Sequence, residues 1–225
     1  MPWPLNPTDS FKRRLMNRLT SLLLTIVLIS LSFSSNAWTL DKQEDGISVY
    51  TKTKNNSDFK AFRGEVVVES NIETILGVIN DVESMESWLH ECSKSQILER
   101  KSANEVIVYQ ETNAPWPVSD RSFILKMTTE RSNEGKQAEI LFTAIIESDS
   151  DNASQINNED CVRVTELDGR WLLKQVSDTS VHILYETSAD PAGSIPAWLA
   201  NAFVVDQPFN TLKNLRSKVA ISNAQ

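Results

Sequence analysis

Between residues 96 and 187 the chain returns again and again to a period of two, and this run constrains its fold more than any other feature. Seven segments carry the alternation: 96–100, 105–112, 121–129, 137–147, 161–166, 170–176 and 181–187. Two further strands are predicted ahead of them, at 46–53 and 59–69, the second after the turn-like Asn55-Asn56-Ser57-Asp58. Ser70 and Glu73 then read as a capping box, and Ile72, Ile75, Leu76 and Ile79 mark one helical face. A shorter helix is expected over 81–89. The chain closes with a helical stretch, 195–217, in which Trp198, Ala202, Val205, Phe209 and Leu212 recur at spacings of three and four, with a kink expected at Pro208. Strands, a helical excursion, a long antiparallel meander and one amphipathic terminal helix predict an α+β fold: a curved antiparallel sheet wrapped around the helix, with space between them.

The strand faces support a cavity. Arg121, Phe123, Leu125 and Met127 share one face of their strand, as do Val106, Val108 and Gln110 of theirs. Arg121 on an apolar face requires a partner, because an unpaired buried guanidinium is costly. Asp120, Glu111 or an anionic ligand headgroup could supply one, and the residues leave these open. Trp116 and Trp171 read as packing residues, since aromatics dominate core burial.

Residues 1–37 form a unit of different character. A basic stretch from Lys12 to Arg18 precedes the apolar run 22–31 and then Ser35-Asn36-Ala37, the pattern of a signal peptide cleaved after Ala37. Met16 begins an equally complete signal. The apolar run is shorter than the roughly 20 residues a spanning helix needs, so an uncleaved membrane anchor is the alternative. The expected location is the periplasm of a bacterium, or secretion. Four of the 22 Lys and Arg and one of the 30 Asp and Glu lie in this segment, leaving 18 cations against 29 anions, near −11, in the remainder. That charge repels nucleic acid and keeps contact with anionic membranes transient. The stretch 147–160, acidic and rich in Ser and Asn, reads as a solvated loop.

Export makes Cys92 and Cys161 eligible for a disulfide, with two separate buried thiols as the other reading. A metal site is not expected: no CxxC is present, and His90 and His182 stand far apart. No cofactor is expected. Asn55-Asn56-Ser57 and Asn152-Ala153-Ser154 fit the glycosylation pattern.

Several stretches, in order, resemble the START domain, the lipid-transfer module with the helix-grip fold. They are Trp38 with Asp45-Gly46-Ile47-Ser48-Val49-Tyr50; Trp88; Pro115-Trp116-Pro117-Val118-Ser119-Asp120-Arg121-Ser122-Phe123; Gly169-Arg170-Trp171; and Asp190-Pro191-Ala192-Gly193-Ser194-Ile195-Pro196-Ala197-Trp198-Leu199. The resemblance covers residues 38–220 and implies one lipid-binding domain. It implies that the terminal helix is a lid over the ligand, with Trp198, Ala202, Val205 and Phe209 facing it and 190–196 as the hinge. It also places Trp88, Val108, Gln110, Arg121, Phe123 and Met127 around the cavity. START domains that bind phosphatidylcholine box the choline with a Trp and a Tyr at the positions of Gln110 and Phe123. Sterol-binding members pair an acid with an arginine at the positions of Val108 and Met127. Neither device is present, so choline selection is not expected and a sterol would bind by shape alone. An apolar or acyl-chain ligand remains, with room for an anionic end near Arg121.

The function read from these features is binding, with transfer, of a lipid or other hydrophobic small molecule by a monomer, without catalysis. The alternatives are a helix-grip polyketide cyclase or aromatase, and an adaptor using the same fold to bind protein. His182 alternates with apolar neighbours and is expected to face outward, and His90 sits in a polar segment, so neither reads as a general base. N-terminal sequencing of the exported protein should return Trp38 as the first residue; a chain retaining Met16 in the membrane fraction would instead mark an anchored protein.

Overall fold

The computed structural model describes residues 37–54, 57–146, 156 and 158–224. The signal segment up to Asn36 lies outside the described residues, as do Asn55 and Asn56, the second glycosylation match at 152–154, and most of the acidic loop.

Strands β1 (Thr39–Glu44), β2 (Ile47–Thr53) and β3 (Lys60–Glu69) open the domain, followed by α1 (Ile72–Asn80) and a 3-10 helix at Val82–Ser87. Then come β4 (Cys92–Arg100), β5 (Glu105–Thr112), β6 (Asp120–Ser132), β7 (Gln137–Ala144), β8 (Cys161–Val164), β9 (Glu166–Ser177) and β10 (Ser180–Asp190). Helices α2 (Ala197–Phe203) and α3 (Asp206–Ser222) end it. The described strands form one sheet in the order β1-β2-β3-β10-β9-β7-β6-β5-β4. Asp45 and Gly46, at φ of 53° and 75°, make the β1–β2 turn, a backbone twist that suits a two-residue hairpin.

The predicted meander is there with one exception. β8 runs parallel to β6, beside Asp120–Phe123, and β7 takes over as the neighbour of β6 from Leu125 onward. A period-two pattern gives a strand but not its partner or direction. Three further expectations are corrected. The cap of α1 is Asn71, whose side chain accepts from the Thr74 N–H, while Ser70 turns away to donate to Asn223. The helix expected over 81–89 is a single 3-10 segment. The terminal helix is broken at Val204 and Val205, so Pro208 lies in the first turn of α3, where its missing N–H costs nothing. The stripe is therefore divided: Phe209 and Leu212 are core, Val205 packs against it, and Trp198 and Ala202 are exposed on α2.

Odd-numbered residues of β10 (Val181, Ile183, Tyr185, Thr187) face inward, and His182 and Glu186 stand half-buried on the opposite face. There His182 meets Glu65 at 3.4 Å and Glu186 meets Arg63 at 2.9 Å, so His182 is outward as expected. The inner faces of the strands join α1 and α3 in one core, with Trp88, Ile140, Leu173, Leu212 and Leu215 among its most buried members. Cys92 and Cys161 are free thiols on separate strands; burial pushes the Cys92 thiol up to about 11.

Helix α3 rests on β2, β3 and α1, and its crossing point is Gly64. A Cβ there would stand 2.7 Å from Leu212 Cδ1 and 3.2 Å from Pro208 Cβ. Gly169 serves the Phe142 ring in the same way, a Cβ there meeting it at 2.2 Å. Gly64→Val should cost about 1–3 kcal/mol by overpacking, and Leu212→Ala about 2–5 kcal/mol by leaving a cavity. Urea unfolding of residues 38–225 measures both, and a change within error for either would contradict this seating of α3.

Candidate functional site

The helix covers only part of the concave face, and the uncovered part is hollow. Three chambers run inward and share walls. The mouth, about 590 Å³, lies between the 113–118 loop and the paired helices, lined by Val118, Arg121, Ile195, Ala200, Phe203 and Gln207 among others. A middle chamber of about 200 Å³ continues behind it, sharing His90, Thr112, Arg121, Pro191 and Gln207 with the mouth. An innermost space of about 40 Å³ ends at Met85, Trp88, Met127 and Trp171, sharing Gln110, Leu125, Phe142 and Tyr185 with the middle one.

Strand register builds these walls. On β5 and β6, Thr112 pairs with Arg121, Gln110 with Phe123 and Val108 with Leu125, so inward residues of the two strands stack as rungs. Trp171 of β9 and Tyr185 of β10 are cross-strand partners, stacked at 3.9 Å and 3°. Trp88 meets Trp171 edge-on at 6.0 Å, and together they floor the deepest space. The Trp88 Nε1 is buried there without a hydrogen-bond partner.

Arg121 is 8% exposed, and its hydrogen bonds among the described residues go to backbone carbonyls. Its Nε donates to the Pro191 carbonyl at 3.0 Å, Nη2 to Ala192 at 3.1 Å, and Nη1 to Ser119. The expected partners are engaged elsewhere: Asp120 accepts from the Ala114 N–H, and Glu111 from Tyr109 and Asn158. Carbonyls cap donors but carry no formal charge, so these bonds do not balance the positive charge. Burial accordingly lowers the Arg121 pKa, and nearby Asp120 only partly restores it. The same bonds fasten the segment leading to α2, where Ala192 and Gly193 adopt φ of 55° and 67°. Asn201 fixes α2 from the other side, accepting from the Lys60 N–H and donating to the Asp58 carbonyl, both at 2.9 Å.

Of the residues assigned to the cavity from sequence, Trp88, Gln110 and Met127 line the innermost space. Phe123 lines the middle chamber and Arg121 both the middle chamber and the mouth. Gln110 is held by Nε2 bonds to Met85 Sδ at 2.9 Å and Ser95 Oγ at 3.3 Å. Val108 and Phe209 sit in the core, and Val205 packs against it. Trp198 and Ala202 face away; Ala200 and Phe203 take their place at the mouth. Sequence reading missed Phe142, Leu167, Tyr185, Thr187 and Gln207. The alternation of β7, β9 and β10 puts the first four inward, but only register shows which inward residues reach the hollow.

Residues 24–223 match the START domain. An uncharacterized protein of Pseudomonas aeruginosa is 33% identical over 200 residues, 89% of this chain and 95% of the relative. Phosphatidylcholine transfer protein of Bos taurus is 22% identical over 186 residues, covering 82% and 84% of the two chains. Among solved structures, the STAR-related lipid transfer protein of Xanthomonas axonopodis superposes with a TM-score of 0.72 at 32% identity, over 81% of this chain and 98% of that one. Human StAR-related lipid transfer protein 5 shares the fold, with a TM-score of 0.71 at 14% identity over 94% and 99%. With the concave sheet, the helix laid across it and the chambered hollow between them, this match over most of its length shows that the chain belongs to the START domain family.

Proposed function

We propose that this protein is a monomeric, non-enzymatic carrier, exported from the cytoplasm, that holds one hydrophobic ligand of lipid type in the chambered hollow and exchanges it at a membrane. The observation that carries this reading is the continuity of the three chambers, from a mouth under α2 and α3 to a floor of Trp88 and Trp171. Partition supplies the affinity: each methylene moved from water into such walls gains about 0.8 kcal/mol, so an acyl chain is retained without any covalent step.

The rim supports exchange at a bilayer. Residues 112–119 and 191–205 contain no charged side chain, although 23% of the chain is charged. Trp116 is 92%, Trp198 73% and Phe203 43% exposed on these two segments. Bare aromatics on a charge-free rim suit the bilayer interface, where one end of the ring is apolar and the other wet. Contact of this kind offsets little of the negative charge elsewhere, which keeps residence brief.

Two variants separate carriage from exchange. Ala189→Trp should fill the middle chamber and abolish loading of a fluorescent acyl probe, leaving the circular dichroism spectrum unchanged. Trp116→Ala with Trp198→Ala should leave loading intact and slow probe transfer between vesicles about tenfold, with little dependence on salt because the rim bears no charge. Unchanged loading in the first variant would contradict carriage in the hollow, and unchanged transfer in the second would contradict exchange through this rim.

A further inference from the structure

The middle chamber holds a cation and no lining carboxylate, and what is missing there indicates what the ligand brings. Among the described residues lining it, Arg121 is the one formally charged group apart from the titratable His90, and no Asp or Glu is present. Of the acids near the hollow, Glu91 and Asp206 line only the mouth, Glu91 facing His90 at 3.6 Å, while Asp120 accepts from the Ala114 N–H outside the chamber lining and offsets the burial of Arg121 only in part. Three of the five guanidinium N–H groups of Arg121 go to backbone carbonyls. One donor on each of Nη1 and Nη2 therefore remains, the spacing that suits two oxygens of one anion.

Facing the same chamber, Thr187 is 7% exposed with a buried Oγ1 that has no hydrogen-bond partner. Gln207, which also lines the chamber, has a buried Oε1 in the same condition. Both lie near enough to the Tyr185 hydroxyl to ease its burial-raised pKa, but neither completes an aligned hydrogen bond to it. A half-turn of the Gln207 amide presents its Nε2 instead. Buried polar groups without partners are costly and uncommon in folded proteins, and here two of them share a chamber with a cation that no lining carboxylate balances.

We infer that the middle chamber is a headgroup site for an anionic amphiphile, a carboxylate or phosphate group held by Arg121, Thr187 and Gln207 with its hydrocarbon chain in the adjoining apolar space. This deepens the carrier reading and rests on it. The polar end reaches into the middle chamber rather than stopping in the mouth, because Thr187, with its partnerless hydroxyl, lines the middle chamber and not the mouth, while Arg121 and Gln207 stand where the two meet. A quaternary ammonium is disfavoured in the same chamber, where it would approach Arg121 with no carboxylate to balance the two charges.

Four probes with one sixteen-carbon chain test this on residues 38–225: hexadecanoate, hexadecyl phosphate, hexadecan-1-ol and hexadecyltrimethylammonium. Binding is measured by displacement of a fluorescent acyl probe. At least one anion should bind ten or more times tighter than the alcohol, the cation should bind weakest, and whichever anion binds tighter distinguishes carboxylate from phosphate as the natural end. Arg121→Gln should reduce the anion preference to below threefold and leave the alcohol unchanged. Should that variant fail to fold, because Arg121 also holds the 191–192 backbone, Thr187→Val leaves those bonds in place and should still lower anion affinity severalfold with alcohol binding intact. Alcohol bound as tightly as both anions overturns the headgroup site and leaves the carrier reading standing, as does an anion preference untouched in every variant that folds. Binding of no probe at all overturns both.

Discussion

The arrangement depends on one close contact, the seating of α3 against β3 at Gly64. With no side chain at that position, Leu212 and Pro208 settle onto the strand backbone, and the helix comes closer to the sheet than a Cβ would permit. Leu212, Leu215 and Val219 then complete a core with α1 and the first strands. One helix cannot cover a concave sheet of this width. The unfilled portion lies toward β5, β6 and β10, and it becomes a cavity rather than a collapsed core because its walls are held from outside. Cross-strand hydrogen bonds fix the rungs, Trp171 is stacked on Tyr185, and Phe142 is accommodated over Gly169.

Arg121 joins that hollow to its cover. Its bonds to Pro191 and Ala192 hold the backbone that leads into α2, and its guanidinium lines the space below. Leaving a guanidinium among carbonyls without a countercharge costs stability, a cost that an apolar residue at this position would avoid. The same group thus fastens the helical cover and sets the electrostatic sign of the chamber. The exposed aromatics of the rim stand on the two segments that Arg121 touches, the loop ending at Ser119 and the strap at 191–192.

Much of the fold was legible because alternation and amphipathic spacing are local signals. Residues 105–112 were read to their exact bounds, β2 and β3 to within a residue, and the inward set Arg121, Phe123, Leu125 and Met127 was placed on one face of β6. What failed depends on distant partners. β8 alternates like its neighbours, yet it pairs in parallel with β6 because β7 diverges there. Pro208 looked like a kink, but the break came upstream, between two β-branched residues, which placed the proline where a helix tolerates it. Carboxylates close in sequence are the partners the sequence suggests for Arg121, whereas two of its three carbonyl partners, Pro191 and Ala192, lie some 70 residues away and the third is Ser119. Gln207 carries no local pattern, and the alternation of β10 gives only the side on which Thr187 stands; both become conspicuous once the fold shows them buried without partners.

Native mass spectrometry of residues 38–225, purified from the compartment where the protein resides, reads out whether the hollow carries a hydrophobic ligand. A single adduct of lipid mass is expected at one per chain, lost on denaturation and extractable into organic solvent. A chain that flies at its bare mass, and remains bare after incubation with mixed lipid vesicles, would contradict it.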